Sequence, residues 1–254
     1  MAETTTVQSL DRAFDLLELL CKSRNGLTIG AMSAHTGLHK STVHRLLASM
    51  CARGYVVRDG ETSVYHAGMR ICELSGCIMD NIDVIERARA PMERLSRETG
   101  ETVHLVMQDE RDIVYIHKVE SVSGGIRMFS RIGMRRPLYC TGVGKAILAT
   151  WPEDEARAAW RASDIEACTE HTITTEDGFL RELTRVRRLG YALDNEENEL
   201  GVRCIAAAVL DFRGRASYAL SISAPLSRMT DERIAELRIP LLAVRDEIAA
   251  ALGG

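Results

Sequence analysis

The side chains best suited to chemistry fall in four short stretches. Lys40, Ser41, Thr42, His44 and Arg45 crowd two cations, two hydroxyls and an imidazole into six positions. Such groups hydrogen-bond to phosphates and to the edges of bases. Cys140-Thr141-Gly142-Val143-Gly144-Lys145 is a glycine-rich turn carrying a thiol and an ammonium. Asp194-Asn195-Glu196-Glu197 is an acidic run followed by Gly201 and Cys204. Ser221 and Ser223 alternate with Leu220 and Ile222, so on a strand both hydroxyls share one face and the aliphatics take the other.

Each stretch has a chemical and a structural reading. A phosphate-cradling P-loop would need Gly at 139 and Ser or Thr at 146; the chain has Tyr139 and Ala146, which excludes nucleotide hydrolysis. The Gly142 turn still offers backbone N–H groups at a helix start, a seat for a small carboxylate, or it is a turn needed only for packing. The acidic run with Cys204 suggests metal or nucleophilic chemistry, against a solvated loop as the plain reading. No histidine stands near it in sequence to act as base, although His104 or His117 can approach in space. The paired serines form a ligand-binding surface or a wet face.

The elements that position these groups follow from periodicity. Ser9–Lys22 reads as an amphipathic helix with Ser9 as N-cap. Thr28–Leu47 reads as two short helices about Gly37, the second burying Val43, Leu46, Leu47 and Met50, with Ser41 and Thr42 as hydroxyl caps. Two short strands, Tyr55–Arg58 and Ser63–His66, flank Asp59-Gly60. Three helices and a hairpin make a winged helix-turn-helix, whose second short helix fits a major groove. A linker helix is expected over 68–76 and an amphipathic helix over 83–98, kinked or restarted at Pro91. Strands follow at 102–108, 111–119, 126–129, 205–210 and 216–223, with helices at 144–149, 153–162, 177–189 and 231–252. Strand pairs separated by helices imply an α+β domain with a largely antiparallel sheet.

Charge separates the two halves. Lys22 to Arg58 contains six basic residues and no acidic one, in a chain of formal net charge −4. The remainder therefore holds ten more acidic than basic residues, an arrangement that phosphate neutralisation on one module requires. No apolar run spans a bilayer, and the first residues lack the basic and apolar regions of a signal peptide, so the expected place is the cytoplasm. Seven cysteines without CxxC or zinc spacing read as reduced thiols, with Cys72 and Cys77 packing as small hydrophobes. No metal, cofactor or catalytic residue is expected.

Residues 7–20 and 26–59 resemble the amino-terminal domain of IclR-type transcriptional regulators. Residues 135–149, 190–211 and 213–230 are similar to the signature stretches of that family's effector-binding domain, in the family's order. Gly30 departs from the pattern, being a poor helix former where a helix interior is expected. The resemblance implies a winged helix-turn-helix with linker helix at 1–77 and a GAF-like effector domain at 78–254. The candidate DNA-contacting residues are Thr28, His39, Lys40, Ser41, Thr42, His44, Arg45 and Arg58. Carried over by motif, the effector site takes Met128, Gly142, Val143, Asp194, Val202, Cys204, Ser221 and Ser223, with His104, Tyr115 and His117 assigned to strands and core.

Together these features imply a repressor of a catabolic operon that assembles as a homodimer or as a tetramer of two dimers. Its partners would be double-stranded operator DNA and a small anionic metabolite, an organic or sugar-derived acid. The helix stripes of Phe14 and Leu17 and of Ile71, Leu74 and Ile78 are expected to pair the winged domains. The alternative from another class is an enzyme or sensor domain with Cys140 or Cys204 as nucleophile, fused to a DNA-binding module.

Overall fold

The computed structural model describes residues 7–80, 83–121, 129–211 and 213–253. Two compact units divide the chain, Met1–Asn81 and Ile82–Gly254.

In the first unit, α1 (Gln8–Lys22), α2 (Ile29–Thr36) and α3 (Lys40–Ala52) precede the hairpin β1 (Val56–Arg58) and β2 (Tyr65–Ala67). Leu16, Leu20, Met32, Val43, Leu47, Met50, Val56 and Tyr65 form one core, each supplied by the apolar stripe of its element. The strands pair antiparallel from Val56 opposite Ala67 to Arg58 opposite Tyr65, shorter than the expected hairpin. Asp59 takes the backbone between them instead, its Oδ1 accepting from the N–H of Glu61 at 2.9 Å and of Thr62 at 3.4 Å. The expected Ser9 cap is not used: α1 begins after Val7 with no side-chain cap. Gly30 lies in the first turn of α2 rather than in a helix interior, where its flexibility costs little. The following α4 (Arg70–Asp80) leaves Cys72 and Cys77 exposed, so they are not packed as expected.

In the second unit, α5 (Asp83–Thr99) leads into six strands: β3 (Thr102–Asp109), β4 (Asp112–Val119), β5 (Arg135–Pro137), β6 (Ala192–Asn195), β7 (Val202–Val209) and β8 (Tyr218–Pro225). Their order is β5-β4-β3-β8-β7-β6, and every pair is antiparallel. α6 (Gly142–Leu148), α7 (Glu153–Ala162), α8 (Glu176–Leu189) and the closing α9 (Asp231–Ala251) complete it. Pro91 does not break α5, because Met92 and Leu95 beside it are fully buried and hold the turn in place. β5 and β6 were not expected; at three and four residues they are too short to show a period. The strand expected at 126–129 falls largely outside the described residues, and Phe129 itself is not in a strand.

One face of the sheet supplies Val106, Ala192, Ala206, Ala208 and Ala219 to a core with α6, α7 and α8. Small residues there let α6 approach the strands closely. A Cβ at Gly144 would stand 2.2 Å from the Leu138 carbonyl oxygen, which is backbone and cannot swing away. Gly144→Ala should therefore lower unfolding stability by at least about 1–3 kcal/mol, the usual cost of overpacking, measured by urea denaturation. Unchanged stability would show that α6 is not seated this tightly.

Candidate functional site

The nucleic-acid side is built on a helix-turn-helix. Gly37, at φ 68°, ends α2 in the left-handed conformation, which turns the chain sharply into α3. His39 is the N-cap of α3, not Ser41 or Thr42: its Nδ1 accepts the Ser41 N–H at 3.3 Å and sits 2.8 Å from Ser41 Oγ. The imidazole reaches the orphan donor first, and Ser41 and Thr42 fall inside the helix. Thr28 caps α2 by accepting the Ala31 N–H at 3.2 Å. Val43, Leu47 and Met50 hold one side of α3 in the core, which leaves Lys40, Ser41, His44 and Arg45 exposed and Thr42 half-buried. Arg58 is exposed on the hairpin, donating to Ser63 Oγ at 3.1 Å with its guanidinium 5.9 Å from the centre of the Tyr65 ring. All six basic residues between Lys22 and Arg58 are exposed. This surface combines a groove-sized helix with concentrated positive charge.

The second unit assembles most of the other predicted residues. Asp194 pairs across the sheet with Cys204, Cys204 with Ser223, and Ser223 with Thr102. In the adjacent row Ala206 pairs with Ser221 and Ser221 with His104. Strand alternation puts these residues on the α6 side, together with Val202. Gly142 completes the group: a Cβ there would meet Cys204 Sγ at 3.0 Å and the Asp194 nitrogen at 3.1 Å. Val143 points into the core instead. With only seven residues, α6 has too short a dipole to make its start an anion seat, and the glycine turn serves close packing. Met128 lies outside the described residues.

His104 lies buried on β3, as expected of a strand and core residue, and it also stands within reach of the serines. Its Nδ1 is 3.5 Å from Ser221 Oγ and 3.4 Å from Ser223 Oγ, and its Nε2 is 2.7 Å from Ser130 Oγ. Burial, with Lys118 adding to it, holds its pKa down to about 3, so the ring is neutral. Tyr115 stands edge-on to it at 5.2 Å. Thr102 and His104 alternate with Val103 and Leu105, the same signal that singles out Ser221 and Ser223.

The acidic run is not a solvated loop. Asp194 and Glu197 are both buried, and Asp194 Oδ1 accepts from the N–H of Glu197 at 2.8 Å and of Asn198 at 3.3 Å. Lys145, fully buried, bonds Glu197 Oε1 and lies 3.6 Å from Glu182. Glu197 Oε2 is buried without a hydrogen-bond partner among the described residues. Burial and the neighbouring Glu197 push Asp194 up to about 7, with Lys145 opposing. Burial also raises the Cys140 and Cys204 thiols, so neither is poised as a thiolate nucleophile. Among the described residues no group of three or more His, Cys, Asp or Glu side chains is placed to hold a metal.

Comparison with known proteins settles the assignment. The description "IclR helix-turn-helix domain" matches residues 9–60, and "Bacterial transcriptional regulator IclR C-terminal" matches residues 77–250. The chain belongs to the IclR family. It is 40% identical to the HTH-type transcriptional regulator KdgR of Escherichia coli over 248 residues, 98% of this chain and 94% of that one. It is 35% identical to the DNA-binding transcriptional repressor YiaJ of Escherichia coli over 248 residues, 97% of this chain and 88% of that one. The crystal structure of the Thermotoga maritima IclR superposes with a TM-score of 0.83 at 31% identity, covering 97% of this chain and 99% of that one. As an IclR-family member the chain is a DNA-binding transcriptional regulator and not an enzyme. No helix among the described residues is long and apolar enough to cross a membrane.

The raised Asp194 has a measurable consequence. A carboxyl whose pKa is higher folded than unfolded loses stability as pH climbs from about 3.9 to about 7, by up to roughly 4 kcal/mol. Asp194→Asn keeps an acceptor for the two N–H groups and removes the titration. The variant should match wild type near pH 4 and exceed it by a few kcal/mol at pH 8 in urea denaturation. Parallel stability curves would show that Asp194 titrates normally.

Proposed function

We propose that this regulator is a dimeric repressor of a catabolic operon whose operator affinity is set by a small hydroxylated acid held in the second unit. The observation that carries the ligand reading is the buried polar row of Asp194, Ser221, Ser223, Thr102 and His104 on one face of an otherwise apolar sheet. Buried hydroxyls and a carboxyl near its midpoint at neutral pH match a ligand rich in hydroxyl groups and carrying its own carboxylate. The effector set is then Asp194, Cys204, Ser221 and Ser223, with His104 added, Gly142 and Val202 shaping the wall, and Val143 left to the core. Met128 stays in the proposal on its sequence position alone.

On the DNA side the proposed contacts are Lys40, Ser41, Thr42, His44 and Arg45, with Arg58 at a phosphate and Thr28 and His39 fixing the helix starts. Dimerisation is supported by apolar surface on the first unit: Phe14 is 60% exposed, Leu10 54% and Leu74 40%. Symmetric pairing would place two α3 helices on half-sites about one helical turn or a multiple apart.

Arg45→Ala should weaken binding to a duplex selected from a random pool by roughly 1–3 kcal/mol if Arg45 reads a base edge. If it touches only phosphate, affinity falls uniformly and the salt slope shrinks by about one. Two chains should bind per duplex; one chain per duplex, or wild-type binding insensitive to salt, contradicts the proposal.

A thermal-shift screen against organic and sugar-derived acids should find a stabilising ligand. Ser221→Ala with Ser223→Ala should then lose about 1.5–3 kcal/mol of binding per hydrogen bond to a charged ligand while keeping operator affinity. A double variant that responds to the ligand as wild type does places the pocket elsewhere.

A further inference from the structure

Cys140 and Cys168 stand apart from the other thiols. Their sulfurs are 3.9 Å apart, although 28 residues separate them in the chain. Cys140 is fully buried immediately before Thr141, the N-cap of α6, whereas Cys168 is exposed on the irregular segment between α7 and α8. That segment is held as a strap. The Tyr139 hydroxyl donates to the Glu166 carbonyl and accepts the Glu166 N–H, both at 2.9 Å. Thr169 Oγ1 donates to the Glu196 carbonyl at 2.6 Å, and Thr172 Oγ1 to the Glu197 carbonyl at 2.6 Å. Tyr139 and Cys140 thus grip the strap at Glu166 and Cys168, and the strap grips the acidic loop.

We propose that Cys140 and Cys168 form a reversible disulfide site, oxidised by hydrogen peroxide, that locks the 163–172 strap onto the start of α6. The exposed thiol reacts first. The Cys168 thiolate attacks one peroxide oxygen, the O–O bond breaks, and Cys168 becomes a sulfenic acid. The departing hydroxide takes up the proton that Cys168 released and leaves as water. The Cys140 sulfur then attacks the sulfenic sulfur, the S–O bond breaks, and the Cys140 proton leaves with the hydroxyl as a second water. Two thiols are oxidised by two electrons and one peroxide is reduced to two waters; a dithiol reverses the change. Burial keeps the Cys140 thiol protonated, which spares it from direct oxidation and makes its attack on the sulfenic sulfur, with loss of its proton, the slow step. Disulfide formation needs the sulfurs to close from 3.9 Å to about 2.05 Å, within reach of a side-chain rotation at exposed Cys168.

The disulfide stands independently of the ligand reading. Its regulatory meaning rests on that reading, since the strap holds the backbone of Glu196 and Glu197 beside Asp194. Locking the strap would fix the loop that a ligand must meet.

The test uses the full-length protein, reduced, desalted and exposed to hydrogen peroxide. Peptide mapping without reductant should show Cys140 joined to Cys168, with free thiols falling from seven to five and returning with dithiothreitol. Amide exchange over 163–172 should slow about tenfold on oxidation. Cys168→Ser, at an exposed position that leaves the core intact, should abolish the cross-link and the slowing while Cys140 stays reduced. Four outcomes overturn the proposal: cross-links at other pairs such as Cys21 with Cys72 while Cys140 stays reduced; Cys168 driven to sulfinic acid unpaired; equal Cys140–Cys168 cross-linking in urea-unfolded protein; or a disulfide that leaves exchange over 163–172 unchanged. Failure of the ligand screen with the cross-link intact would remove only the ligand reading.

Discussion

A fully desolvated ammonium governs the second unit. Lys145 has no exposed surface, and an unpaired charge there would cost about 3–5 kcal/mol. Its carboxylate partners come from two other places, Glu197 after β6 and Glu182 on α8. One side chain therefore ties the short helix under the sheet to the acidic loop and to a helix on the protein's surface. The same pairing decides the fate of Asp194. With Lys145 committed to Glu197 and Glu182, Asp194 faces a like charge in a dry place, and its proton becomes hard to remove.

The two units reach their work by opposite electrostatic routes. The first keeps its cations in water, where they cost nothing to fold and are available to a polyanion. The second buries Asp194 against two backbone N–H groups, Glu197 against one lysine and Glu101 against Arg228. The first needs only a small apolar core because its function lies on its outside. The second puts polar groups inside, where each must be hydrogen-bonded or paired to offset its lost hydration.

What could be read in advance follows the range of each interaction. Helices with a clear apolar stripe, such as 177–189 with Phe179, Leu183 and Val186, are stated by their own residues, and so is the turn at Gly37. Alternation exposes Ser221 and Ser223, and it is equally present in Thr102 and His104, whose imidazole is both buried on its strand and within reach of the two serines. The His39 cap was hidden because histidine ranks low among N-cap residues, and the neighbouring hydroxyls drew attention first. Most obscure was the burial of Asp194 and Glu197. A run of acids looks solvated in one dimension; only the lysine 52 residues away in sequence explains why it is not.

The neutral ring of His104 leaves the site with an undecided polarity. An uncharged imidazole carries one proton on two nitrogens, so when one end donates the other must accept. In one tautomer Ser130 receives the hydrogen from Nε2 and one of the two strand serines donates to Nδ1; in the other Nδ1 donates to one of those serines and Ser130 donates to Nε2. Hydroxyl groups rotate freely enough to follow. The same heavy atoms, without moving, can therefore offer donors to a carbonyl or acceptors to a hydroxyl, and on the proposed effector reading one pocket would take related metabolites that differ in oxidation level.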